Sequence, residues 1–217
     1  MSLNRNDLER LGELVRQRCL RYGDFTLASG GKSKYYYNGK RITLRPSGAW
    51  LIGEALVDVV LAAGAEAVGG PALGAVPIAC AVGLASLSRA RELPVFVVRM
   101  EQKGHGARDL IAEPYADDDS GEAIRESPLL ATGRRVAIVE DAVTTGGSVQ
   151  KAIDAVEALG CRVVLVAVLV ERHEGGGDAL RTRGYNVVSI FRTDEEGQLS
   201  VNEAFLERME AAQAKAG

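Results

Sequence analysis

The segment at residues 136–148 constrains this chain more than any other part of its sequence. It reads Val-Ala-Ile-Val-Glu-Asp-Ala-Val-Thr-Thr-Gly-Gly-Ser. The four leading apolar residues are typical of a buried strand in a parallel sheet, and the loop of hydroxyls and glycines behind them opens a helix. Because ligands bind outside the carboxyl ends of strands in open α/β sheets, the segment predicts a ligand site.

The chemistry of this segment indicates which ligand it would bind. The backbone N–H groups of the loop and the N-terminus of the following helix attract phosphate. The carboxylates of Glu140 and Asp141 would repel a bare phosphate, whereas each can accept hydrogen bonds from vicinal sugar hydroxyls. The combination predicts a site for a ribose 5-phosphate. The alternative is a plain turn and helix cap at residues 146–148, which does not require the two acids and two threonines.

Apolar strand-like runs alternate with helical patterns along most of the chain. The predicted helices cover residues 6–20, 46–63, 75–89 (expected to be buried), 147–159 and 177–183, with a fraying helix from residue 202. The predicted strands cover residues 67–70, 94–99, 136–139, 162–170 and 186–191. This alternation predicts an α/β fold, with an open, mainly parallel twisted sheet flanked by helices. We expect a single domain at 1–217, comprising an N-terminal hood at 1–45, an α/β core at 46–200 and a C-terminal helix at 201–217.

Composition and charge narrow the class of protein. The 217 residues are 47% hydrophobic and 25% charged, which is ordinary for a globular protein. A net charge of −3 gives nucleic-acid binding no support, and the apolar runs are too short for a membrane span. The N-terminus has no signal-peptide pattern, so we expect a cytoplasmic protein. The cysteines at 19, 80 and 161 are expected to be buried free thiols, and no Cys/His spacing indicates zinc.

The stretch at residues 101–134 is long, polar and irregular. It contains the acidic run Asp-Asp-Asp-Ser-Gly-Glu at 117–122. Loops of this length in compact domains are usually functional or disordered, so we interpret it as a mobile lid that carries an acidic, solvated insert. The alternative is a plain surface excursion.

Several segments together resemble the orotate phosphoribosyltransferases, a family within the type I phosphoribosyltransferases. Residues 136–148 resemble the signature that binds phosphoribosyl diphosphate (PRPP) in all type I members. The resemblance is narrowed by the tyrosine-rich stretch at 25–37, the loop at 69–78, Arg-Met-Glu-Gln-Lys-Gly-His-Gly at 99–106 and Val-Glu-Arg-His-Glu-Gly-Gly-Gly at 170–177. It covers about residues 6–190. It implies transfer of the 5-phosphoribosyl group from PRPP to orotate, giving orotidine 5′-monophosphate and diphosphate in de novo pyrimidine (UMP) biosynthesis.

The resemblance also implies how PRPP would be held. The acid pair would bind the ribose 2′- and 3′-hydroxyls and favour a cationic sugar, while the hydroxyl and glycine loop would cradle the 5′-phosphate. The implied PRPP-binding residues are Glu140, Asp141, Ala142, Val143, Thr144, Thr145, Gly146, Gly147 and Ser148. The implied diphosphate loop is Gly70, Pro71, Ala72, Leu73 and Gly74. Mg²⁺ would bridge diphosphate and ribose oxygens, with no direct protein ligand expected, because magnesium depends largely on substrate phosphates and water.

Three residues are implied as catalytic. Arg99, Lys103 and His105 would meet the diphosphate. In the family the lysine and histidine reach into the neighbouring subunit's site, so the resemblance implies a homodimer as part of the mechanism. No nucleic-acid or membrane partner is implied. For His105 the alternative is an exposed, solvated side chain.

The implied contacts to orotate involve Arg172, Thr144, Tyr36 and Tyr37. A guanidinium matches the fork geometry of a carboxylate, which orotate has and a purine lacks. The alternatives are a surface arginine at the end of a strand and a tyrosine run that serves only core packing. The sequence departs from many relatives at Met100, where a second lysine is frequent, and at Ala28, where some relatives have a lysine.

Other functions remain open from the sequence alone. A related enzyme that uses a purine or another base would share the PRPP signature. A PRPP-sensing regulator that binds nucleic acid would keep the phosphate cradle, although the net charge disfavours it. An inactive scaffold is disfavoured by the presence of Lys103 and His105.

Overall fold

The computed structural model describes residues 3–26, 32–101, 110–113 and 129–216. Its helices are α1 (Arg5–Cys19), α2 (Lys40–Thr43), α3 (Pro46–Ala62), α4 (Ala75–Leu87), α5 (Gly147–Glu157), α6 (Gly176–Thr182) and α7 (Glu203–Ala216). Its strands are β1 (Leu20–Thr26), β2 (Lys32–Tyr37), β3 (Ala67–Pro71), β4 (Val95–Val98), β5 (Ile111–Ala112), β6 (Arg135–Val143), β7 (Arg162–Glu171), β8 (Val187–Thr193) and β9 (Leu199–Val201).

The main sheet has the strand order β5-β4-β3-β6-β7-β8-β9. Its five central strands, β4, β3, β6, β7 and β8, are parallel, and the edge strands β5 and β9 pair antiparallel. This confirms the predicted open, mainly parallel α/β sheet. The nearly continuous apolar character of β6 and β7 follows from their central position, since both faces of each strand are covered.

The chain reverses its direction of travel across the sheet at β3. From β3 it moves outward to β4 and β5, and it then returns to the other side of β3 to form β6. Connections that leave neighbouring strands in opposite directions open a crevice at the carboxyl ends of those strands. The loop after β3 and the acid pair of β6 both reach that crevice, so the fold brings together two predicted parts of the site that lie far apart in sequence.

Two apolar clusters cover the faces of this sheet. Alternate residues of β6 enter each cluster: Ala137 and Val139 pack into the one that includes α1, α3, α4 and α7, while Val136 and Ile138 pack into the one that includes α5. This period-two alternation fixes the register of β6, because a slip by one residue would exchange its two faces. The placement of the acid pair depends on that register.

The N-terminal region is a helix followed by a hairpin. Asn4 caps α1 in a reciprocal pair with Asp7, and β1 and β2 pair antiparallel with an irregularity between Tyr22 and Phe25. The side chain of Tyr35 in β2 is fully buried in the same apolar cluster as α1 and α3. The hairpin is therefore anchored to the α/β core.

Three expectations from the sequence are wrong in part. The stretch at 101–134 was expected to be irregular, but β5 pairs with β4, and Leu129 and Leu130 are buried. The helix α4 was expected to be buried, yet Leu84 on its outer face is 71% exposed. Cys80, on the same helix, is exposed, whereas Cys19 and Cys161 are buried free thiols as expected.

The unexpected exposure of Leu84 and of Cys80 has one cause. Residues 75–87 are apolar throughout, so the sequence offers no polar face that would mark the outward side. The C-terminal helix α7 is attached to the core through its first half, where Phe205, Leu206 and Met209 are buried. Within the described parts of the chain, none of the helices combines the length and the apolar character needed to cross a membrane.

Candidate active site

The acid pair lies at the carboxyl end of β6, beside the crevice. Glu140 is 5% exposed; its Oε1 accepts the backbone N–H of Asp141 at 2.9 Å, and its Oε2 lies 3.4 Å from the Ser148 hydroxyl. Burial, and then the neighbouring Asp141 carboxylate, raises the pKa of Glu140 to about 9. Both effects favour the protonated form of Glu140 in the free site. Asp141 is partly exposed.

The Asp141 carboxylate is enclosed by two glycines from distant parts of the chain. A Cβ atom on Gly74 would lie 2.6 Å from Asp141 Oδ1 and 2.6 Å from Glu140 Oε1. A Cβ atom on Gly39 would overlap with Asp141 Oδ2. Contacts this short do not occur for real side chains, so both positions require glycine for the carboxylates to stay in place. The predicted diphosphate loop thus lies against the predicted ribose-binding acids.

The loop between β6 and α5 is braced by the turn before α6. Gly176 donates its backbone N–H to the Thr144 carbonyl at 2.8 Å. A Cβ atom on Gly176 would lie 2.6 Å from the Gly146 nitrogen and 2.6 Å from the Thr145 carbonyl carbon. Gly146 has φ +82°, which places this residue in the left-handed region that glycine favours. The loop is therefore shaped by main-chain contacts, and its N–H groups at the start of α5 make a cradle suited to an anion.

The predicted diphosphate loop connects β3 to α4. The Ala72 N–H donates to the Val98 carbonyl at 2.8 Å, which ties this loop to the end of β4. The peptide bond between Ala72 and Leu73 is cis. Arg99 follows β4 directly, and its Nη1 lies 3.4 Å from the Ile111 carbonyl of β5. The structure thus places Arg99 next to the strand end that supports the loop.

Arg172 follows β7 and is 8% exposed. Its backbone N–H donates to the Val143 carbonyl at 2.9 Å, so it is attached to the end of the PRPP segment. Its Nε donates to the Tyr35 hydroxyl at 3.0 Å, and its Nη2 lies 2.7 Å from Glu174 Oε1. The Glu174 contact is an ion pair by distance but lacks hydrogen-bond alignment, so Nη2 has no hydrogen-bond partner within the described part of the chain.

Glu171, the residue before Arg172, anchors helix α6. Arg181 pairs with both carboxylate oxygens of Glu171, at 2.6 and 2.7 Å, and Ser189 donates to Glu171 Oε2 at 2.9 Å. Burial opposes ionisation there, but the Arg181 guanidinium holds the pKa of Glu171 below its usual range. This clamp joins the end of β7 to α6 and so supports the turn that braces the Thr144 loop.

The two predicted orotate-binding tyrosines lie on opposite faces of β2. The Tyr37 hydroxyl donates to the Asp141 carbonyl at 3.3 Å, and burial, followed by the Asp141 carboxylate, raises the pKa of Tyr37 well above its usual value. Tyr36 is 45% exposed and packs against Phe25 at 5.8 Å between ring centroids. The structure therefore brings Tyr37 to the crevice and turns Tyr36 outward. The predicted catalytic residues Lys103 and His105, and the departure at Ala28, lie outside the described residues.

Comparison with known proteins gives the family. The family model for the phosphoribosyl transferase domain matches residues 63–193. The orotate phosphoribosyltransferase of Rhodopirellula baltica is 39% identical over 195 residues, which are 87% of this chain and 93% of that protein. That of Aquifex aeolicus is 38% identical over 190 residues, or 86% and 96%. The chain belongs to the orotate phosphoribosyltransferase family. It is therefore a pentosyltransferase, as the resemblance of its motifs predicted.

Solved structures of the orotate phosphoribosyltransferase family share the fold. The enzyme of Mycobacterium tuberculosis H37Rv in complex with Fe(III) dicitrate matches with a TM-score of 0.69 at 34% identity, covering 88% of this chain and 99% of that one. The same enzyme in complex with PRPP matches with a TM-score of 0.65 at 29% identity, covering 88% and 92%. The predicted fold of a type I phosphoribosyltransferase is confirmed.

The sequence did not indicate several residues that shape the family's site in this chain. Gly39 and Gly176 act through close approaches between segments distant in sequence. The Glu171–Arg181 clamp joins the end of β7 to α6, ten residues further along the chain. Tyr35 was grouped with its two neighbours, although the alternation of side chains along a strand separates it from Tyr36. The period of two along β2 places Tyr35 and Tyr37 on one face. No local pattern in the sequence indicates the glycine contacts.

Proposed function

We propose that the crevice between β3 and β6 is where this chain transfers the 5-phosphoribosyl group of PRPP to orotate. The observation that supports this most strongly is the packing of the Asp141 carboxylate against Gly74. It sets a group that can accept hydrogen bonds from the ribose diol next to the loop proposed to receive the leaving diphosphate. A single molecule that carries both a diol and a diphosphate on C1 of the same sugar would span these two elements.

The proposed roles follow from the geometry. Residues 144–148 would hold the 5′-phosphate through backbone N–H groups at the start of α5. Glu140 and Asp141 would hold the 2′- and 3′-hydroxyls, and the Asp141 carboxylate beside them favours the cationic character that the sugar gains as the bond to diphosphate breaks. Gly70, Pro71, Ala72, Leu73 and Gly74 would face the diphosphate, with Arg99 beside them and Lys103 and His105 supplying further positive charge.

Mg²⁺ would assist by neutralising the diphosphate. Across residues 3–26, 32–101, 110–113 and 129–216, no three metal-binding side chains come together. The donors at hand are the adjacent carboxylates of Glu140 and Asp141, one of which is already engaged with Ser148. This donor set fits an ion held mainly by substrate oxygens and water. The carboxylates would orient the sugar hydroxyls that share the ion.

Arg172 is the proposed determinant of base choice. It lies at the end of the strand next to β6. Its buried Nη2 lies 2.7 Å from Glu174 Oε1 but has no aligned hydrogen bond in the region that the structure describes. A buried guanidinium gains most from a planar anion, and orotate carries a carboxylate that purines lack. Tyr37 and Thr144 would border the base, and Tyr36 would have to turn inward from its exposed position to contribute.

We also propose that the active form is a homodimer located in the cytoplasm. Leu44, Trp50, Leu84 and Leu87 are large apolar side chains that are about half or more exposed. Three of them line a cavity of about 600 Å³ between α3 and α4, together with Cys80. An apolar surface of this kind marks a protein contact, and a second copy of this chain fits because the lysine and histidine of the catalytic loop are proposed to act across subunits.

The experiment is a spectrophotometric assay of orotate consumption with PRPP and Mg²⁺, with adenine, guanine, xanthine and uracil as competing bases. We expect orotate to be consumed and the other bases to be left unchanged. Arg172→Ala should reduce kcat/KM for orotate by about 100-fold or more, because a charged hydrogen-bonding partner of a carboxylate is lost, while PRPP binding should change little. Equal losses for orotate and PRPP would show that Arg172 does not select the base.

A further inference from the structure

Tyr35 lies at the centre of a hydrogen-bonded cluster that joins three parts of the fold. Its side chain is fully buried. Its hydroxyl accepts the Arg172 Nε–H at 3.0 Å and lies 2.9 Å from Thr193 Oγ1 and 3.3 Å from His173 Nδ1. Arg172 and His173 directly follow β7, and Thr193 is the last residue of β8, while Tyr35 itself belongs to β2. A hydroxyl carries one proton, so it can donate to Thr193 or His173 while still accepting from Arg172.

The Tyr35 ring also contacts Arg172 through its face. The guanidinium carbon lies 4.5 Å from the ring centroid, which is within the range of a cation–π interaction. The ring is itself held, because a Cβ atom on Gly197 would lie 2.5 Å from its Cδ1. Gly197 lies in the turn between β8 and β9 and has φ +82°. The tyrosine is therefore a rigid surface on which the guanidinium rests.

These two contacts decide which edge of Arg172 remains for a ligand. The Nε–H is used by the Tyr35 hydroxyl, so the side edge of the guanidinium is not free to form a fork with a carboxylate. The end edge, formed by Nη1 and Nη2, is the one that remains. Nη2 is buried and lies 2.7 Å from Glu174 Oε1 without an aligned hydrogen bond, and because each of these two nitrogens carries two N–H groups, both can still donate to a ligand. A planar carboxylate that approaches end-on would satisfy both nitrogens.

We propose that Tyr35 is a positioning residue that presents the Nη1/Nη2 edge of Arg172 to the carboxylate of the base substrate. This rests on the role proposed above for Arg172. Tyr35 acts in two ways: its hydroxyl fixes the rotation of the guanidinium about its own axis, and its ring fixes the plane. Thr193 contributes by orienting the hydroxyl so that a lone pair faces Nε.

The test is Tyr35→Phe, which removes the hydroxyl and keeps the ring. We expect KM for orotate to rise about tenfold, since the lost contact is a hydrogen bond to a charged group, while KM for PRPP stays within about twofold of its original value. Tyr22→Phe is the matched control. The Tyr22 hydroxyl, on the neighbouring strand β1, donates to the Gly197 carbonyl at 3.1 Å and is not bonded to Arg172. This control should leave both KM values unchanged.

A second comparison separates positioning from packing. In an Arg172→Ala background, Tyr35→Phe should have no additional effect on KM for orotate, because the group that it positions is gone. Equal increases in both backgrounds overturn the proposal, as do equal changes in KM for orotate and PRPP. If the unmodified chain consumes orotate and Tyr35→Phe has the same KM, the positioning role alone is wrong. If the unmodified chain does not consume orotate, both proposals are wrong.

Discussion

Gly74 lies close against the Asp141 carboxylate, although one belongs to the loop after β3 and the other to the end of β6. There is no room for a single methyl group between them, since a Cβ atom on Gly74 would lie 2.6 Å from Asp141 Oδ1. The acid pair is proposed to hold the ribose of PRPP and the loop after β3 its diphosphate. This contact therefore fixes the distance between the two elements.

Gly74→Ala tests that contact. The added methyl group must displace the carboxylates of Asp141 and Glu140 or the loop itself. We expect KM for PRPP to rise by about tenfold or more, because misplacement of a binding group by a fraction of an ångström weakens several contacts at once. Steady-state kinetics with varied PRPP measure it. An unchanged KM for PRPP, together with an unchanged melting temperature, would contradict the proposed placement of the diphosphate.

The raised pKa of Glu140 predicts how stability depends on pH. Burial and Asp141 favour the protonated form in the folded chain, whereas an unfolded glutamate ionises near pH 4.5. The folded state therefore binds one more proton in this range, and its stability falls as the pH rises from about 5 to about 9. Glu140→Gln removes this dependence of stability on pH, because glutamine does not ionise. The variant should match the parent at pH 5 and exceed its free energy of unfolding by at least about 2 kcal/mol at pH 9.

Urea unfolding at pH 5, 7 and 9 measures this difference. Glu207→Gln is the control, because Glu207 is exposed and lacks the burial that raises the pKa of Glu140. A parent and a Glu140→Gln variant whose stabilities run parallel across the range would show that Glu140 is ionised in the free enzyme.

Arg89 joins two buried acids of α3. Its Nη1 lies 2.7 Å from Glu54 Oε2 and its Nη2 2.9 Å from Asp58 Oδ2. Replacing it with Met leaves two carboxylates in an apolar setting, which should lower stability by about 3–5 kcal/mol. In a chain of this size, each kcal/mol of lost stability lowers Tm by roughly 2–4 °C. Thermal unfolding should show this loss for Arg89→Met and little change for the exposed Arg91→Met, and equal losses would refute the ion-pair explanation.

Hybrid dimers test whether Lys103 acts across subunits. Lys103→Ala and Arg172→Ala should each be nearly inactive alone. If the loop serves the partner's site, a mixed dimer has one intact site, and random mixing restores about a quarter of the original activity. Activity assays after co-refolding or subunit exchange measure it. Mixtures that stay inactive, although mass measurements show mixed dimers, would place Lys103 in its own subunit's site.

Much of the fold was accessible from local pattern. The strand and loop at 136–148 were predicted because buried apolar runs, acids at a strand end and glycines before a helix are all local features. The edge strands β5 and β9 were missed because they are only two and three residues long, too short for a period to register. Their existence depends on the neighbours to which they pair.

The site was accessible only in part, for a different reason. The residue types of the PRPP segment carry their chemistry in the sequence itself, so Glu140, Asp141 and Thr144 could be chosen without a structure. The contacts of Asp141 with Gly39 and of Thr144 with Gly176 depend on the approach of distant backbones, which a single sequence does not encode in any short pattern. Tyr35 was not among the residues predicted to contact orotate, and its buried hydroxyl shows why burial and function need not exclude each other.

The brace from Gly176 to the Thr144 carbonyl has a consequence for affinity. The cradle has already lost its conformational freedom when the chain folds, so a phosphate that arrives meets N–H groups that need not be ordered again. Binding should therefore cost little entropy on the protein side, and sugar phosphates should be held tightly even before the base has entered.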